Sequence, residues 1–380
     1  MDTKFWPYII RCPNRRLKKH VVCLVFGMCL VTAMYLVQTH NGWIMDKIFQ
    51  LHSQQCTEIQ NIVFLKVHKT GSSTVANILQ RFGYFRNLNF ALPNKTAGQL
   101  RYNYFGGVGE TLKPGGTIPS KPKSKQYNIL YNHVIFNWKP FLKIFPKNTT
   151  VYVTTLRQPV NQFLSSLLFF LHEEILDAAK ENITFYLKNP EKFEPEESPY
   201  LSFTNNRQAL DLGLPPSKVR DKTYITRYIN MLDKVFDLVL IMEYFDESLI
   251  LLKRRMCWNF KDILHIRKNK AYQSFDFQLS FNDKTLLKDW ALADHLIYEH
   301  FYKKFHIILK REPNVMEETH DFKMILYKTQ RFCNNSGSET QLVIQKSKWN
   351  EQFKITALDC AYMKLGELQF LNKILHDIRR

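Results

Sequence analysis

The chain has 380 residues, 45% hydrophobic and 14% aromatic, which is enough to bury a sizeable core and excludes a disordered polymer. Lysine and arginine total 53 against 34 acidic residues, a formal charge of +19. So basic a balance points to an anionic partner (nucleic acid, a membrane surface or a small polyanion) or to a solvated basic surface. Charge alone does not choose between them.

Residues 21–37 (VVCLVFGMCLVTAMYLV) are uncharged and strongly apolar, at the short end of what spans a bilayer. Arg11, Arg15, Arg16, Lys18 and Lys19 precede this run, and the QTHNGW after it carries no formal charge. The positive-inside rule then predicts a cytosolic tail (1–20), a signal-anchor (21–37), a short stem (38–55) and the remainder, 56–380, as one lumenal domain. A cleaved signal peptide is the rival reading. The apolar run is long for one, and Thr32-Ala33-Met34 is a poor cleavage site. With the domain on the far side of a membrane, nucleic acid drops out as a partner. Cys56, Cys257, Cys333 and Cys360 lie beyond the anchor, an even number where disulfides persist. Three pairings are open to them, and their scatter does not suit a zinc site. Glycosylation sequons at Asn94, Asn148, Asn182 and Asn334 fall on the same side.

From Asn61 onward, short apolar runs rich in β-branched residues alternate with helical patterns. This predicts an α/β domain with a mostly parallel central sheet flanked by helices. Residues 106–126 read as an exposed basic loop. Beyond about Lys310 the pattern is harder to place, and the 3.6-residue period in AYMKLGELQFLNKIL suggests helices packed on the domain.

The first apolar run, NIVFL, leads into Lys66-Val-His68-Lys69-Thr70-Gly71-Ser72-Ser73-Thr74 and then a helix with Val75, Ile78, Leu79 and Phe82 on one face. A strand, a loop and a helix N-terminus suit a phosphate: unpaired N–H groups, a dipole end, a glycine, lysines and hydroxyls converge. The Walker A pattern is absent. A second run, TTVYVTTL, ends at Arg157, and Ser165 comes eight residues later in a helix opened by Pro159. Arginine is the usual fork for a phosphate dianion, and ligands of parallel sheets bind beyond these strand ends. Taken singly, each constellation also fits a capped turn or an ordinary buried helix.

The blocks NIVFLKVHKTGSSTVANILQRFG, YNHVIFN, TLRQPVNQFLSS, NNRQALDLG and LIMEYFDESLILLKRRMCW resemble, in order, the galactose-3-O-sulfotransferase family. They cover residues 61–258, roughly half of the chain. The resemblance implies a Golgi type II membrane enzyme with a sulfotransferase-type, P-loop-like domain. It would move a sulfuryl group from PAPS (3'-phosphoadenosine-5'-phosphosulfate) to the 3-hydroxyl of a β-linked galactose on a glycoprotein glycan or glycolipid, with no metal. It assigns Lys69 to the bridging oxygen and 5'-phosphate, with Lys66 as a second cation. Thr70, Gly71, Ser72, Ser73 and Thr74 then cradle the phosphosulfate, and Arg157 and Ser165 take the 3'-phosphate. His133, after the apolar run 127–131, becomes the general base. His68 is its rival, expected to be kept neutral by the flanking lysines. Asn205, Asn206 and Arg207 are expected to border the acceptor sugar, and Glu243 is given no catalytic role. The alternative is a lumenal carbohydrate- or nucleotide-binding protein of kinase-like type using the same loop, against which the lack of a clear Asp pair for magnesium argues. Neither the particular galactoside nor the oligomeric state is specified.

Overall fold

The computed structural model describes residues 56–93, 104–105, 109–113, 126–170, 183–266, 279–335 and 340–377. The expected tail, anchor and stem lie outside them, as do most of the basic loop and Asn94 and Asn182. Among the described residues no helix is long and apolar enough to cross a membrane. The chain divides into two units, Met1–Thr57 and Glu58–Arg380, and the sheet and its helices lie in the second.

Four strands form one parallel sheet: β1 (Ile62–Leu65), β2 (Ile129–Leu130), β3 (Val151–Leu156) and β4 (Leu238–Ile241), in the order β2-β1-β3-β4. Ile62 stands opposite Ile129 on one side and Val151 on the other, and Val153 opposite Leu238. Every residue of all four strands is buried. Burial on both faces is why these strands read as continuous apolar runs and not as alternating ones.

Helices α1 (Ser72–Phe85), α2 (Trp138–Ile144) and α3 (Pro159–Phe170) each come after a strand. Then come α4 (Ile183–Lys188), α5 (Arg207–Asp211) and α6 (Lys222–Val235), and after β4, α7 (Phe245–Met256) and α8 (Phe260–Ile263). Pro159 opens α3 as the sequence predicts, and Asp246 and Glu247 sit in the first turn of α7. Helices α9 (Phe281–Trp290), α10 (Leu292–Arg311) and α11 (Val315–Asn334) complete the shell.

The C-terminal region contains packed helices, as its periodicity suggests, together with a hairpin that the periodicity does not show. A hairpin, β5 (Gln341–Ile344) with β6 (Phe353–Thr356), leads into α12 (Ala357–Lys364) and then α13 (Glu367–Asp377). The break falls at Leu365-Gly366. There the Asn77 side-chain amide, from α1, donates to the carbonyls of Tyr362 and Leu365. A tertiary hydrogen bond thus takes up the carbonyls that a continuing helix would have used. Of the possible cysteine pairs, a disulfide joins Cys333 on α11 to Cys360 on α12.

Candidate active site

Strand order reverses about β1, with β2 on one side and β3 on the other, so a crevice opens beyond their C-terminal ends. Each of these ends delivers a stretch singled out in the sequence. Residues 66–71 come after β1, His133 after β2, and Arg157 after β3.

The loop after β1 is held by its own side chains. The Thr70 hydroxyl donates to the Val67 carbonyl (3.0 Å) and lies 2.7 Å from Thr155 Oγ1; the Ser72 hydroxyl donates to the same carbonyl at 2.6 Å. Lys69 and Gly71 both take positive φ, 60° and 76°. For Gly71 this is the natural residue, and a Cβ there would also run into the Met242 sulfur. For Lys69 the left-handed backbone is a strained state that the bracing imposes. It carries the Lys69 side chain out of the loop, with its ammonium 3.6 Å above the Phe169 ring.

A cleft of about 390 Å3 lies beside this loop, lined by Lys66, His68, Lys69, Ser72, Ser73 and His133 together with Tyr104, Phe169, Phe170 and residues 366–369. Thr70, Gly71 and Thr74 are not among its described lining residues, nor are Arg157 and Ser165. Thr70 and Ser72, expected to donate to a phosphate, instead give their protons to Val67. Closing the loop on itself demands those bonds. Arg157 likewise turns to the loop, donating from Nη1 to the Lys69 carbonyl at 3.2 Å. Its own backbone is held by Gln208, which accepts from its N–H and donates to its carbonyl, each at 2.9 Å. Ser165 sits half-buried on α3.

His68 and His133 stack, ring centroids 3.9 Å apart and 14° from parallel, and the Tyr104 ring lies beside both, its centroid 4.8 Å from that of His133 and 5.8 Å from that of His68. His133 Nδ1 lies 3.1 Å from the Lys66 carbonyl. A carbonyl only accepts, so Nδ1 holds the proton and Nε2 is the basic nitrogen of the neutral ring. Burial holds His133 far below the usual imidazole range, assisted by His68 and the Lys66 charge. His68 Nδ1 lies 2.7 Å from Asp211 Oδ2, and its Nε2 2.6 Å from the Tyr104 hydroxyl. Its own shift is also downward, caused first by burial, while Asp211 opposes it. His68 is therefore kept neutral as expected, but mainly by desolvation, with the nearby charge of Lys66 contributing least. Burial, then the charge of Arg157, pushes the Lys69 ammonium down to about 8.

The profile of the galactose-3-O-sulfotransferase family matches residues 11–346 of this chain. The chain belongs to the galactose-3-O-sulfotransferase family. It is 30% identical over 268 residues to mouse galactose-3-O-sulfotransferase 2, covering 70% of this chain and 67% of that one. Against human galactosylceramide sulfotransferase it is 32% identical over 254 residues, 66% of this chain and 58% of the relative. Human galactose-3-O-sulfotransferase 3 aligns at 28% over 96% of this chain and 89% of its own. The first two alignments thus span about two thirds or less of those relatives.

Within this family member the NNRQALDLG block takes a different part from the one expected. Arg207 is fully buried, bonded to Asp211 and to the carbonyls of Tyr200 (2.7 Å) and Ser202 (3.1 Å). Asn206 donates to the Trp290 carbonyl and accepts from the N–H groups of Ala293 and Asp294. Asn205 accepts from the Asn206 amide. Arg207 and Asn206 are thus committed to packing, and the useful residue of the block is Asp211, one helical turn after Arg207, where it holds His68. The i, i+4 spacing of an Arg and an Asp was the signal for it. Asp294, whose carboxyl burial pushes up to about 7, accepts from the N–H groups of Gln208 and Ala209 and so anchors α5. Tyr104 and Glu367 also line the cleft without a sequence signal. Glu243 accepts from the Gln158 N–H and the Tyr298 hydroxyl, in keeping with a structural role.

Proposed function

We propose that this chain is a PAPS-dependent galactose 3-O-sulfotransferase, acting on β-linked galactose of a glycan or glycolipid. The observation that carries this reading is a cationic, positive-φ loop and two neutral stacked histidines sharing one cleft. The relatives' names favour it over a kinase-like or nucleotide-binding protein. They give galactose 3-O and galactosylceramide as what those proteins act on.

The cleft suits such a donor. Two lysines and Ser73 line it, beside the α1 N-terminus. We read β1, the loop and α1 as a P-loop-like unit, with Thr70, Gly71 and Thr74 shaping it and Arg157 reaching its outer end. Bound there, PAPS supplies a sulfuryl group on a phosphate leaving group. Lys69 and Lys66 offset the charge on that leaving group. His133 Nε2 takes the proton of the attacking hydroxyl. Asp211, His68 and Tyr104 form a hydrogen-bonded chain that fixes the rings beside it.

Transfer of labelled sulfuryl from PAPS to a panel of β-galactosides, with the product linkage determined, tests the reading; no transfer to any of them overturns it. In the same assay Lys69→Ala and Arg157→Ala should each weaken PAP binding by about 1.5–3 kcal/mol, the worth of a charged hydrogen bond. In the wild type, donor affinity should fall as pH rises through about 8, because Lys69 loses its charge there. That fall should vanish in Lys69→Ala. In Arg157→Ala it should move to higher pH, since the neighbouring charge that depresses Lys69 is gone. Unchanged PAP affinity in both variants removes the donor assignment.

The type II Golgi arrangement, with residues 21–37 as anchor and 56–380 lumenal, belongs to the same proposal. It rests on the apolar run and its charge asymmetry. Protease added to sealed microsomes should clip an N-terminal tag and spare the domain; digestion of the domain would reverse the orientation.

A further inference from the structure

One wall of the cleft is built by residues 366–369, which lie beyond the stretch matched by the family profile. This segment is rigidly placed. The Cys333–Cys360 disulfide ties α12 to α11, and Lys364 bonds the Cys333 carbonyl. The Asn77 amide fixes the turn, and the Gln80 amide donates to the Glu367 carbonyl at 3.1 Å. Asn77 and Gln80 both lie on α1, the helix that starts at the cationic loop. The helix N-terminus at the loop and the C-terminal wall are thereby one framework.

Glu367 is the one carboxylate among the described residues that line the cleft. One of its oxygens, Oε2, pairs with Lys66. The other, Oε1, is buried and has no hydrogen-bond partner among the described residues. A carboxylate oxygen left so is costly, and it calls for a hydroxyl or N–H donor. The phosphosulfate end of the donor, which the adjacent loop would hold, cannot meet that call, because its oxygens accept hydrogen bonds and repel a carboxylate. A sugar can, because each of its hydroxyls donates. Next to Glu367, Leu368 is 43% exposed and Gln369 brings an amide, so the wall pairs polar groups with an apolar lip. That mixture matches the hydroxyl edge and C–H face of a pyranose.

We propose that residues 366–369 form the acceptor-sugar wall of the cleft, with the Glu367 carboxylate accepting a hydrogen bond from a hydroxyl of the bound galactoside. This rests on the sulfotransferase reading of the same cleft. The cleft is then partitioned by charge. The ammonium of Lys69 and the α1 N-terminus take the anionic donor, and the Glu367 carboxylate takes the neutral, hydroxyl-rich acceptor. The Lys66–Glu367 pair sits at the boundary. Drawing Lys66 toward a donor anion frees Oε2 for the sugar as well.

The test is Glu367→Gln, which keeps the shape and removes the charge, with Leu368→Ser as a second variant away from the ion pair. The full-length enzyme is assayed for kcat and KM with a β-galactoside, and PAP affinity is measured by calorimetry. Glu367→Gln should raise the acceptor KM by roughly 10-fold or more, the loss of one charge-assisted hydrogen bond, with PAP affinity not weakened. Leu368→Ser should raise the acceptor KM too and leave PAP binding alone. An unchanged acceptor KM in both variants overturns the proposal. Weakened PAP binding with a normal acceptor KM also overturns it and makes Glu367 a partner of the donor-side lysine only. If the wild type transfers to no galactoside, the sulfotransferase reading fails and the inference falls with it. Transfer by the wild type with variants of normal KM removes the inference alone.

Discussion

His133→Ala is expected to lower kcat by about 10²–10⁴-fold, the usual contribution of a general base, while leaving PAP affinity unchanged. The reason is the tautomer. With Nδ1 donating to the Lys66 carbonyl, the lone pair sits on Nε2. In His68 the same nitrogen already receives the Tyr104 hydroxyl, and Nδ1 is held by Asp211. Of the two stacked rings, His133 is therefore the one with its basic nitrogen uncommitted to that chain. Because burial holds its pKa far below the usual range, the base stays unprotonated, and activity should persist well below pH 6.5. Single-turnover and calorimetric measurements on His133→Ala and His68→Ala separate the roles. Near-normal turnover in His133→Ala, with turnover lost and PAP binding kept in His68→Ala, would move the base to His68.

Asp211→Ala should destabilise the domain by about 3–5 kcal/mol, the cost of stripping the partner from a buried charge. Arg207 has no exposed surface, and Asp211 is its only carboxylate partner among the described residues. The same carboxylate accepts the His68 backbone N–H at 2.8 Å as well as its ring. Burial alone would push the Asp211 carboxyl up, but Arg207 and His68 together hold it below its ordinary value. A folded pKa below the unfolded one means that this stabilisation is complete above the ordinary carboxylate range and is lost as pH falls through the folded pKa. Urea denaturation should thus give a constant gap between wild type and Asp211→Ala at neutral pH, narrowing only in strong acid. Equal stability of the two at pH 7 would remove Asp211 from this role.

Much of the site is legible in the chain because its signals are local. The β1 loop combines a strand's apolar run, lysines, a glycine and an amphipathic helix within a few dozen residues, and each of those is set by neighbours in sequence. Pro159 is local in the same way, and it stands where expected. The parallel sheet could be inferred from short apolar runs that alternate with helical patterns along the chain. The resemblance supplied His133, which no periodicity would have marked out among 12 histidines.

What the sequence could not settle is where polar side chains spend their hydrogen bonds. Asn206 and Arg207 have the composition of a sugar site, yet the fold buries both. A buried guanidinium must find partners wherever the packing leaves them, here Asp211 and two carbonyls. Thr70 and Ser72 look like phosphate donors, but the loop needs their protons to close. The helical period in this stretch does not show where its break falls, at Leu365 and Gly366, where Asn77, a residue 288 positions from Leu365 in the chain, bonds the turn. Glu367 reaches the cleft only because of that break. By itself, then, the sequence determined the strands of the parallel sheet, the cationic loop and the family. The tertiary structure alone decided which histidine nitrogen is basic, which carboxylate holds His68 and which segment closes the cleft, because those depend on partners that burial brings together from remote parts of the chain.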